Sequence, residues 1–275
     1  MVLASAGSAR AQEIEADAGL ALEAEPVELE LVSPWVVQVE PSLWRPGLFG
    51  SIQAPGSVGE TELEDIDLDE SGYAGAIEAK FRLDEESSIR WNAFVFEQSE
   101  RSIAKDTFTF GSVSGVFGDA VSSEVRFSSV ELVYEWEWWS KELPAKDPRD
   151  SVRMNVDAYA GLRAYDIAFD VSANGGMMRA DQQWIDVIVG ARLEVDLAPD
   201  LAFDFAADVG GMGLGDYGSF SGNVLTGFHW RPDERLGVQF GYRFLFNSVV
   251  DGDEPSRFEW IGSTAGVYLG AVWRF

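Results

Sequence analysis

The sequence after Trp35 alternates between apolar and polar side chains in one segment after another. In the last segment, every second residue from Ala265 to Phe275 is apolar, whereas the interleaved residues are mostly glycine or polar. A period of two places successive side chains on opposite faces of a β-strand. We therefore predict about ten strands, over residues 37–43, 77–83, 89–95, 130–138, 152–162, 184–197, 201–209, 223–230, 236–246 and 265–275.

The connections between these segments alternate between short and long. Short turns at one end, longer loops at the other and an even number of strands are typical of membrane-spanning barrels. The pattern predicts an all-β fold over residues 34–275, a single antiparallel up-and-down transmembrane β-barrel of about ten strands, with eight or twelve as alternatives. Short turns are expected at 84–87, 198–200 and 232–234 with a longer one at 141–150, and the other connections at 54–72, 105–120, 166–183, 211–218 and 249–256.

The direction of the apolar face decides between two kinds of barrel. A soluble lipocalin-like ligand-binding barrel is apolar inside and must carry solvated charge outside. Here the polar face is rich in glycine, alanine and tyrosine with spaced charges of both signs, which favours a filled lumen and an apolar exterior against lipid. Aromatic residues near strand ends, such as Trp136, Trp230 and Trp273, match the girdles expected at the two bilayer interfaces.

Charges on the polar face are expected to pair inside the lumen, because a charge in a narrow space with little water needs a partner. We call this set the predicted lumen charge network. Its cations are Lys80, Arg82, Arg90, Arg153, Arg163, Arg192 and Arg243, and its carboxylates are Glu78, Glu131, Asp157, Asp186, Asp204 and Asp208.

Composition excludes some classes of function. The 275-residue chain has a formal net charge of -27, which argues against nucleic-acid binding, because DNA and RNA select basic surfaces. It contains no cysteine, so disulfides cannot stabilise it in an oxidising compartment. Backbone pairing in a closed barrel would serve that purpose instead.

The first residues have the marks of export. Ala9-Arg10-Ala11 has the small-x-small form of a signal-peptidase site, so residues 1–11 are interpreted as a remnant signal peptide cleaved before Gln12. A plain alanine- and serine-rich tail is the alternative. Residues 12–33 are acidic and lack aromatic side chains, which predicts a disordered periplasmic lead-in.

Candidate chemistry is sparse. A lipid-modifying hydrolase would need a histidine beside a serine and an acid, but the only histidine, His229, is expected to face the lumen beside a short turn. No Gly-x-Ser-x-Gly elbow is present in the sequence. The pairs Asp204 with Asp208 and Asp186 with Glu194 are better suited to binding lumen arginines than to acid–base catalysis. We expect no catalytic residue, no enzyme activity and no cofactor.

An acidic run in the first long connection is the one candidate for cation binding. Carboxylates can hold Ca²⁺, and this run would bridge weakly to lipopolysaccharide phosphates through divalent cations, but it lacks the spacing and glycine of an EF-hand loop. A solvated loop is the simpler interpretation, and no metal site is assigned. The run consists of Glu60, Glu62, Glu64, Asp65, Asp67, Asp69 and Glu70.

The end of the chain resembles a known signal. The terminal Val-Trp-Arg-Phe is similar to the C-terminal strand signal of bacterial outer-membrane proteins, which the barrel-assembly machinery reads. The resemblance assigns that role to Tyr268, Trp273 and Phe275. It implies a barrel delivered to the outer membrane.

Further segments resemble a family of uncharacterised bacterial outer-membrane β-barrel proteins. The resemblance covers nearly all of the chain after Trp35, and it implies a barrel and an outer-membrane location without an assigned chemistry. Ser42 stands where tyrosine would be expected in that family, which does not affect the fold. The matching segments are Pro-Trp at 34–35, PSLWRPGLFG at 41–50, DIDL at 65–68, DAYAGLR at 157–163, QWID at 183–186, DVGGMG at 208–213 and GYR at 241–243.

These observations predict an integral outer-membrane β-barrel protein with a structural or narrow-pore, small-solute role. An outer-membrane lipid-modifying enzyme and a soluble lipocalin-like ligand-binding barrel are the alternatives. The expected partners are outer-membrane lipid, lipopolysaccharide and the barrel-assembly machinery, with no nucleic acid. The sequence leaves the oligomeric state open.

Overall fold

The computed structural model of the protein describes residues 35–143, 152–233 and 235–275. The predicted signal-peptide remnant at 1–11 and the lead-in at 12–33 lie outside the described residues. The elements are β1 Val37–Gln53, β2 Thr61–Glu62, a 3-10 helix Leu63–Ile66, β3 Tyr73–Arg82, β4 Ser87–Ile103, β5 Phe108–Phe110, β6 Val113–Gly115, β7 Ala120–Leu143, β8 Val152–Ala173, β9 Gly176–Ala198, β10 Leu201–Leu214, β11 Tyr217–Trp230, β12 Leu236–Asp251 and β13 Phe258–Arg274.

One antiparallel sheet closes into a barrel. The described residues form a sheet of eleven strands, and β2 is only a two-residue addition to β1, which leaves ten strands in the wall. The last strand pairs with the first, from Gln38↔Arg274 to Gln53↔Glu259. The predicted fold class and the strand number of ten are confirmed. Among the described residues, no helix has the length and apolar character needed to span a bilayer.

The barrel has two different ends. We call the end where β1 begins and β13 finishes the termini end, and the opposite end, which carries the connections at 54–72 and 104–119, the loop end. In the half nearer the termini end, the predicted apolar face points outward. Val187, Phe240 and Leu269 are 51%, 48% and 60% exposed. A lipocalin-like arrangement, which would bury these residues inside, is excluded for this part of the wall.

Two connections, one expected to be long and one expected to be shorter and glycine-rich, are tight turns. Strand β8 continues to Ala173 and β9 begins at Gly176, so the connection predicted over 166–183 is the two-residue turn Asn174-Gly175. Both turn residues have positive φ angles, 52° and 79°, as a type I′ hairpin turn requires. The connection predicted over 211–218 shrinks in the same way to residues 215–216.

The reason for this error is that the alternation continues with its polarity reversed. In the loop-end part of β8, Ile167, Phe169 and Val171 point inward and are fully buried, whereas Asp166 and Asp170 point outward. A pattern with charged residues on the outer face was read as a loop. It is a strand whose outer face is charged.

The long strands exceed the thickness of a bilayer. Strand β8 has 22 residues and β9 has 23. At about 3.3 Å per residue, such a strand is about 70 Å long. Because strands tilt by about 40° relative to the barrel axis, it rises about 50–55 Å along that axis. The apolar band of an outer-membrane barrel is about 25 Å tall. The loop-end half of the wall therefore has room to project beyond a membrane.

Both long connections fold into the loop end of the barrel. Residues 54–72 pass over the mouth through β2 and the 3-10 helix, and residues 104–119 form the β5–β6 hairpin. The backbone N–H of Gly111 donates to Ser57 Oγ (2.7 Å), and that of Gly56 donates to the carbonyl of Pro255 (2.7 Å). These bonds tie the two connections to each other and to the β12–β13 loop. Their buried apolar side chains are Leu63, Ile66, Leu68, Phe108, Phe110 and Val113.

We predict that Gly241→Ala destabilises the barrel by about 1–3 kcal/mol, because inserting atoms into a close-packed wall forces strain. A β-carbon at Gly241 would collide with the carbonyl oxygen of Thr226 and lie 2.7 Å from the Tyr268 hydroxyl. Urea unfolding in detergent micelles, followed by heat-modifiable gel mobility, measures the effect. Gly213→Ala is the control, because nothing lies within 4 Å of its β-carbon position. Equal stability of the two variants would contradict this packing.

Candidate functional site

The lumen near the termini end is built around buried ion pairs. Arg163, on the inward face of β8, is completely buried. Its Nη1 and Nη2 donate to the two oxygens of Asp208 at 2.9 and 2.8 Å, and its Nε donates to Glu131 Oε2 at 2.7 Å. Tyr159 and Asn223 also donate to Asp208, at 3.1 and 3.0 Å. Bidentate pairs with additional hydrogen bonds are the arrangement that a buried guanidinium requires.

A second group of contacts extends this cluster across the lumen. Arg90 lies 2.6 Å from Glu135 and 3.0 Å from Glu131. Glu78 lies between two arginines, with Arg90 Nη1 at 3.5 Å and Arg192 Nη1 at 3.3 Å. Charges of opposite sign therefore alternate from Asp208 on β10 to Glu78 on β3.

The network ends near the termini end. Arg192 Nη2 lies 2.5 Å from Asp204 Oδ2. Lys80 Nζ lies 2.9 Å from Glu135 and 3.7 Å from Asp157. The observed network thus joins nine of the predicted members to Glu135. They are Glu78, Lys80, Arg90, Glu131, Asp157, Arg163, Arg192, Asp204 and Asp208.

The structure places the four other predicted members elsewhere. Arg82 stacks on the Trp35 ring at 4.3 Å, beside the closing seam. The side chain of Arg153 is 56% exposed and contacts Glu137. Asp186 is buried and accepts a hydrogen bond from Ser219 Oγ at 2.5 Å. Arg243 makes cation–π contacts and is described below. Alternation gives the face of a side chain but not its depth in the barrel, which is why these four could not be separated from the others.

Glu135 and Tyr159 were not assigned to the network from the sequence. Glu135 is 1% exposed and contacts Lys80 and Arg90, and Tyr159 lies under the Arg90 guanidinium at 4.8 Å. Both occupy polar-face positions of their predicted segments. Their parity was the available signal, and it carries no information about which cation lies opposite.

An aromatic belt separates this charged region from the loop end. Five inward rings from β1, β4, β7, β8 and β9 contact one another in sequence around the wall. Centroid distances are 5.5 Å for Trp44–Phe94, 5.3 Å for Phe94–Phe127, 6.0 Å for Phe127–Tyr165 and 4.8 Å for Tyr165–Trp184. These rings belong to the buried apolar cluster that continues into the loop-end half, so they border the charged lumen on its loop side along β1 to β9.

The loop-end half of the lumen is mainly apolar, although Gln98, Ser123 and Asn247 are also buried on its inward face. Phe169, Val125, Leu245 and Trp260 point inward from the wall and pack with the apolar side chains of the two long connections in that cluster. The sequence predicted a lumen lined by charged or small residues. The large apolar side chains in the loop-end half correct that prediction. Outside, the same part of the wall carries ion pairs instead, for example Arg126 with Glu124 at 2.6 Å.

The space left in the charged lumen is small. One cavity of about 40 Å³ lies between Glu40, Trp44, Arg192, Arg243 and Tyr268, and an adjoining one of about 20 Å³ shares its arginine lining. Pockets for organic ligands are about 300–1,000 Å³. These cavities hold a few water-sized groups at most. The arrangement can therefore fill and stabilise a lumen, but it cannot accommodate a lipid or a drug-sized solute.

His229 and the acidic run offer no larger site. His229 is buried at the termini end of the lumen, with Nε2 4.0 Å from Asp204 Oδ2. In the acidic run, Lys105 Nζ lies 2.7 Å from Asp67 and 3.5 Å from Asp69. Within residues 35–143, 152–233 and 235–275, no group of three or more histidine or acidic side chains is arranged to hold a metal ion.

Comparisons with known proteins bear on the fold only weakly. No protein-family model and no curated protein matches the chain. Similar solved structures include the transport unit of the autotransporter AIDA-I from Escherichia coli (8% identity, 93% of this chain and 94% of that one, TM-score 0.43). Others are Ail, the attachment invasion locus protein of Yersinia pestis (11%, 87% and 99%, TM-score 0.37), and an outer membrane channel from Pseudomonas putida F1 (11%, 92% and 100%, TM-score 0.33). At these identities and TM-scores, the comparisons carry no argument about function.

We predict that Arg163→Met destabilises the barrel by about 3–5 kcal/mol, because it leaves the buried Asp208 without its cation and the buried Glu131 with Arg90 alone. Adding Glu131→Gln and Asp208→Asn to Arg163→Met should restore much of the loss, since the buried charges are then removed together. Urea unfolding in micelles measures the series. Arg153→Met, at an exposed arginine on the same strand face, should change stability by less than about 0.5 kcal/mol. Arg163→Met behaving like Arg153→Met would refute the network.

Proposed function

We propose that this chain is an integral β-barrel protein of a bacterial outer membrane with a sealed lumen and a structural role. The proposal rests on one observation: along a single strand, the outward side chains change from apolar to charged. On β9, Val187 and Val189 are more than half exposed, whereas Asp181 and Arg179, on the same outward face nearer the loop end, carry charge. An exposed apolar band bordered by charge is the surface that a bilayer requires.

The border of the band has the composition of a membrane interface. At the termini end, Trp136, Trp230 and Trp273 are 39%, 47% and 40% exposed on the outer face. At the loop-end border, Tyr73 is exposed beside the Arg45 guanidinium at 5.7 Å. Tryptophan and tyrosine favour this depth because each has an apolar ring and a polar group. In the proposed orientation the termini end faces the periplasm, and Arg45 lies where lipopolysaccharide phosphates would contact it.

The lumen supports a structural role over a conducting one. Charge pairs fill the termini-end half, the aromatic belt crosses above them, and an apolar core fills the loop-end half. A hydrated ion cannot cross such a core without losing its water, which costs many kcal/mol. We therefore exclude a narrow-pore role from the proposal, and we propose no enzyme activity.

The assembly signal belongs to the same proposal. Trp273 and Phe275 point outward and are 40% and 74% exposed, whereas Tyr268 faces the lumen and is 7% exposed. Trp273 and Phe275 are thus available to the barrel-assembly machinery on the surface of the last strand. Tyr268 would be read only before the barrel closes.

Single-cysteine labelling tests the membrane location, and the absence of cysteine from the chain makes each label unique. We predict that an environment-sensitive dye on Val187→Cys emits at shorter wavelength in lipid vesicles and is quenched by doxyl-labelled lipid. The same dye on Asp181→Cys, the matched position on the same strand face, should emit as in water and escape lipid quenching. Equal emission and quenching at the two sites would contradict the proposal.

Planar-bilayer recording tests the sealed lumen. We predict no stable unitary conductance from the inserted protein, because a buried apolar cluster occupies the loop-end half of the lumen in the part of the chain that the structure describes. Insertion is verified by protease protection of the same preparation. Reproducible ohmic channels that persist across ionic strengths would show that the lumen conducts.

A further inference from the structure

Arg243 is a buried cation for which the described part of the chain provides no ion-pair partner. It lies on the inward face of β12 and is 7% exposed. Its Nε donates to Asn223 Oδ1 at 3.0 Å, and its guanidinium lies over the rings of Trp44 and Phe94 at 5.5 and 5.3 Å. Among the described residues, no carboxylate oxygen forms an ion pair with it within 4.0 Å; Glu131 and Asp208 lie within Coulombic range of it but are bound directly by Arg163. A buried charge left in this state is costly unless a counter-charge reaches it.

Arg243 is one of the residues that line the cavity of about 40 Å³. Two further donors on its lining have no hydrogen-bond partner among the described residues, Trp44 Nε1 and the Tyr268 hydroxyl. Both side chains are more than nine-tenths buried, at 2% and 7% exposure. Indole N–H and guanidinium groups can only donate hydrogen bonds, so a ligand in this cavity must accept them.

The two carboxylates on the lining are already engaged by other groups. Glu78 lies between Arg90 and Arg192 at 3.5 and 3.3 Å. Glu40 accepts a hydrogen bond from Gln38 and is within Coulombic range of Arg192 and His229. The remaining polar lining consists of Arg192, which is paired with Glu78 and Asp204, and of Ser42, Asn92 and Gln239, each of which can donate a hydrogen bond.

We propose that this cavity is a binding site for one small inorganic anion of the halide class, held by Arg243, Trp44 Nε1 and the Tyr268 hydroxyl. The volume suits one ion with a water molecule and is far below that of an organic ligand. The anion supplies the direct ion-pair partner that Arg243 lacks among the described residues. The buried apolar cluster lies on the loop side of the cavity, so the ion enters from the termini end. The site does not depend on the proposed membrane location.

Bromide diffraction tests the site in the intact protein. Crystals of the full chain grown in sodium bromide should give an anomalous peak between Arg243 Nη and Trp44 Nε1. Crystals grown in sodium gluconate should give none there. Ordered water without an anomalous peak in the bromide crystals would overturn the proposal, whether or not any variant folds.

A solution experiment tests whether anion binding requires Arg243. In protein labelled with ¹⁵N-tryptophan, bromide titrated against gluconate at constant ionic strength should shift the Trp44 indole resonance saturably, with Trp44→Phe assigning that resonance. Arg243→Gln should abolish the saturable shift, and Arg153→Gln, at the exposed arginine, should leave it unchanged. A shift that grows linearly in every variant would show only a general salt effect and would refute the site.

Discussion

The closing pair of strands is the constraint on which the remaining structure depends. In hydrocarbon, an unpaired backbone N–H or carbonyl has no water to bind, so a sheet can span a membrane only when its first and last strands meet. Here β1 and β13 pair along nearly their whole length. The Trp35 ring lies beside this seam, with Arg82 at 4.3 Å and Arg274 at 5.3 Å. Closure then creates a lumen, and every inward side chain must find its partner there.

The contents of that lumen follow from what lies outside the wall at each level. Where the outer face carries exposed apolar side chains such as Val187 and Leu269, which the proposal places against lipid, polar inward residues can pair across the barrel, as Arg163 does with Asp208. Where the outer face carries Asp181 or Glu124 in water, the wall needs an apolar core like that of a soluble protein. The barrel thus has two cores of opposite polarity, stacked along one axis, with the aromatic belt at their border.

The sequence was sufficient to predict the strands of the wall, but not the level of each side chain along the barrel axis. The period of two gave the ten strands and the direction of faces such as that of β12, because a one-residue slip would reverse every side chain. It failed at residues 166–173, where the alternation persists with reversed polarity and Asp166 was read as part of a loop. It also gave Arg163 and Arg243 the same role, because a partner across the lumen depends on stagger between strands that parity does not specify. The apolar side chains of Leu63 and Phe110, buried from the long connections, carried no periodic signal at all.

The stacking of two cores is tested most directly by solvent mapping along a single strand. Backbone amide signals of β9 can be recorded in lipid nanodiscs with a lipid-soluble and then a water-soluble relaxation agent. Residues 185–197 should respond mainly to the lipid-soluble agent and residues 176–183 mainly to the water-soluble one, so the dominant agent should change once along the strand, near Trp184. A uniform response along β9, or a crossover at a different level on each neighbouring strand, would contradict it.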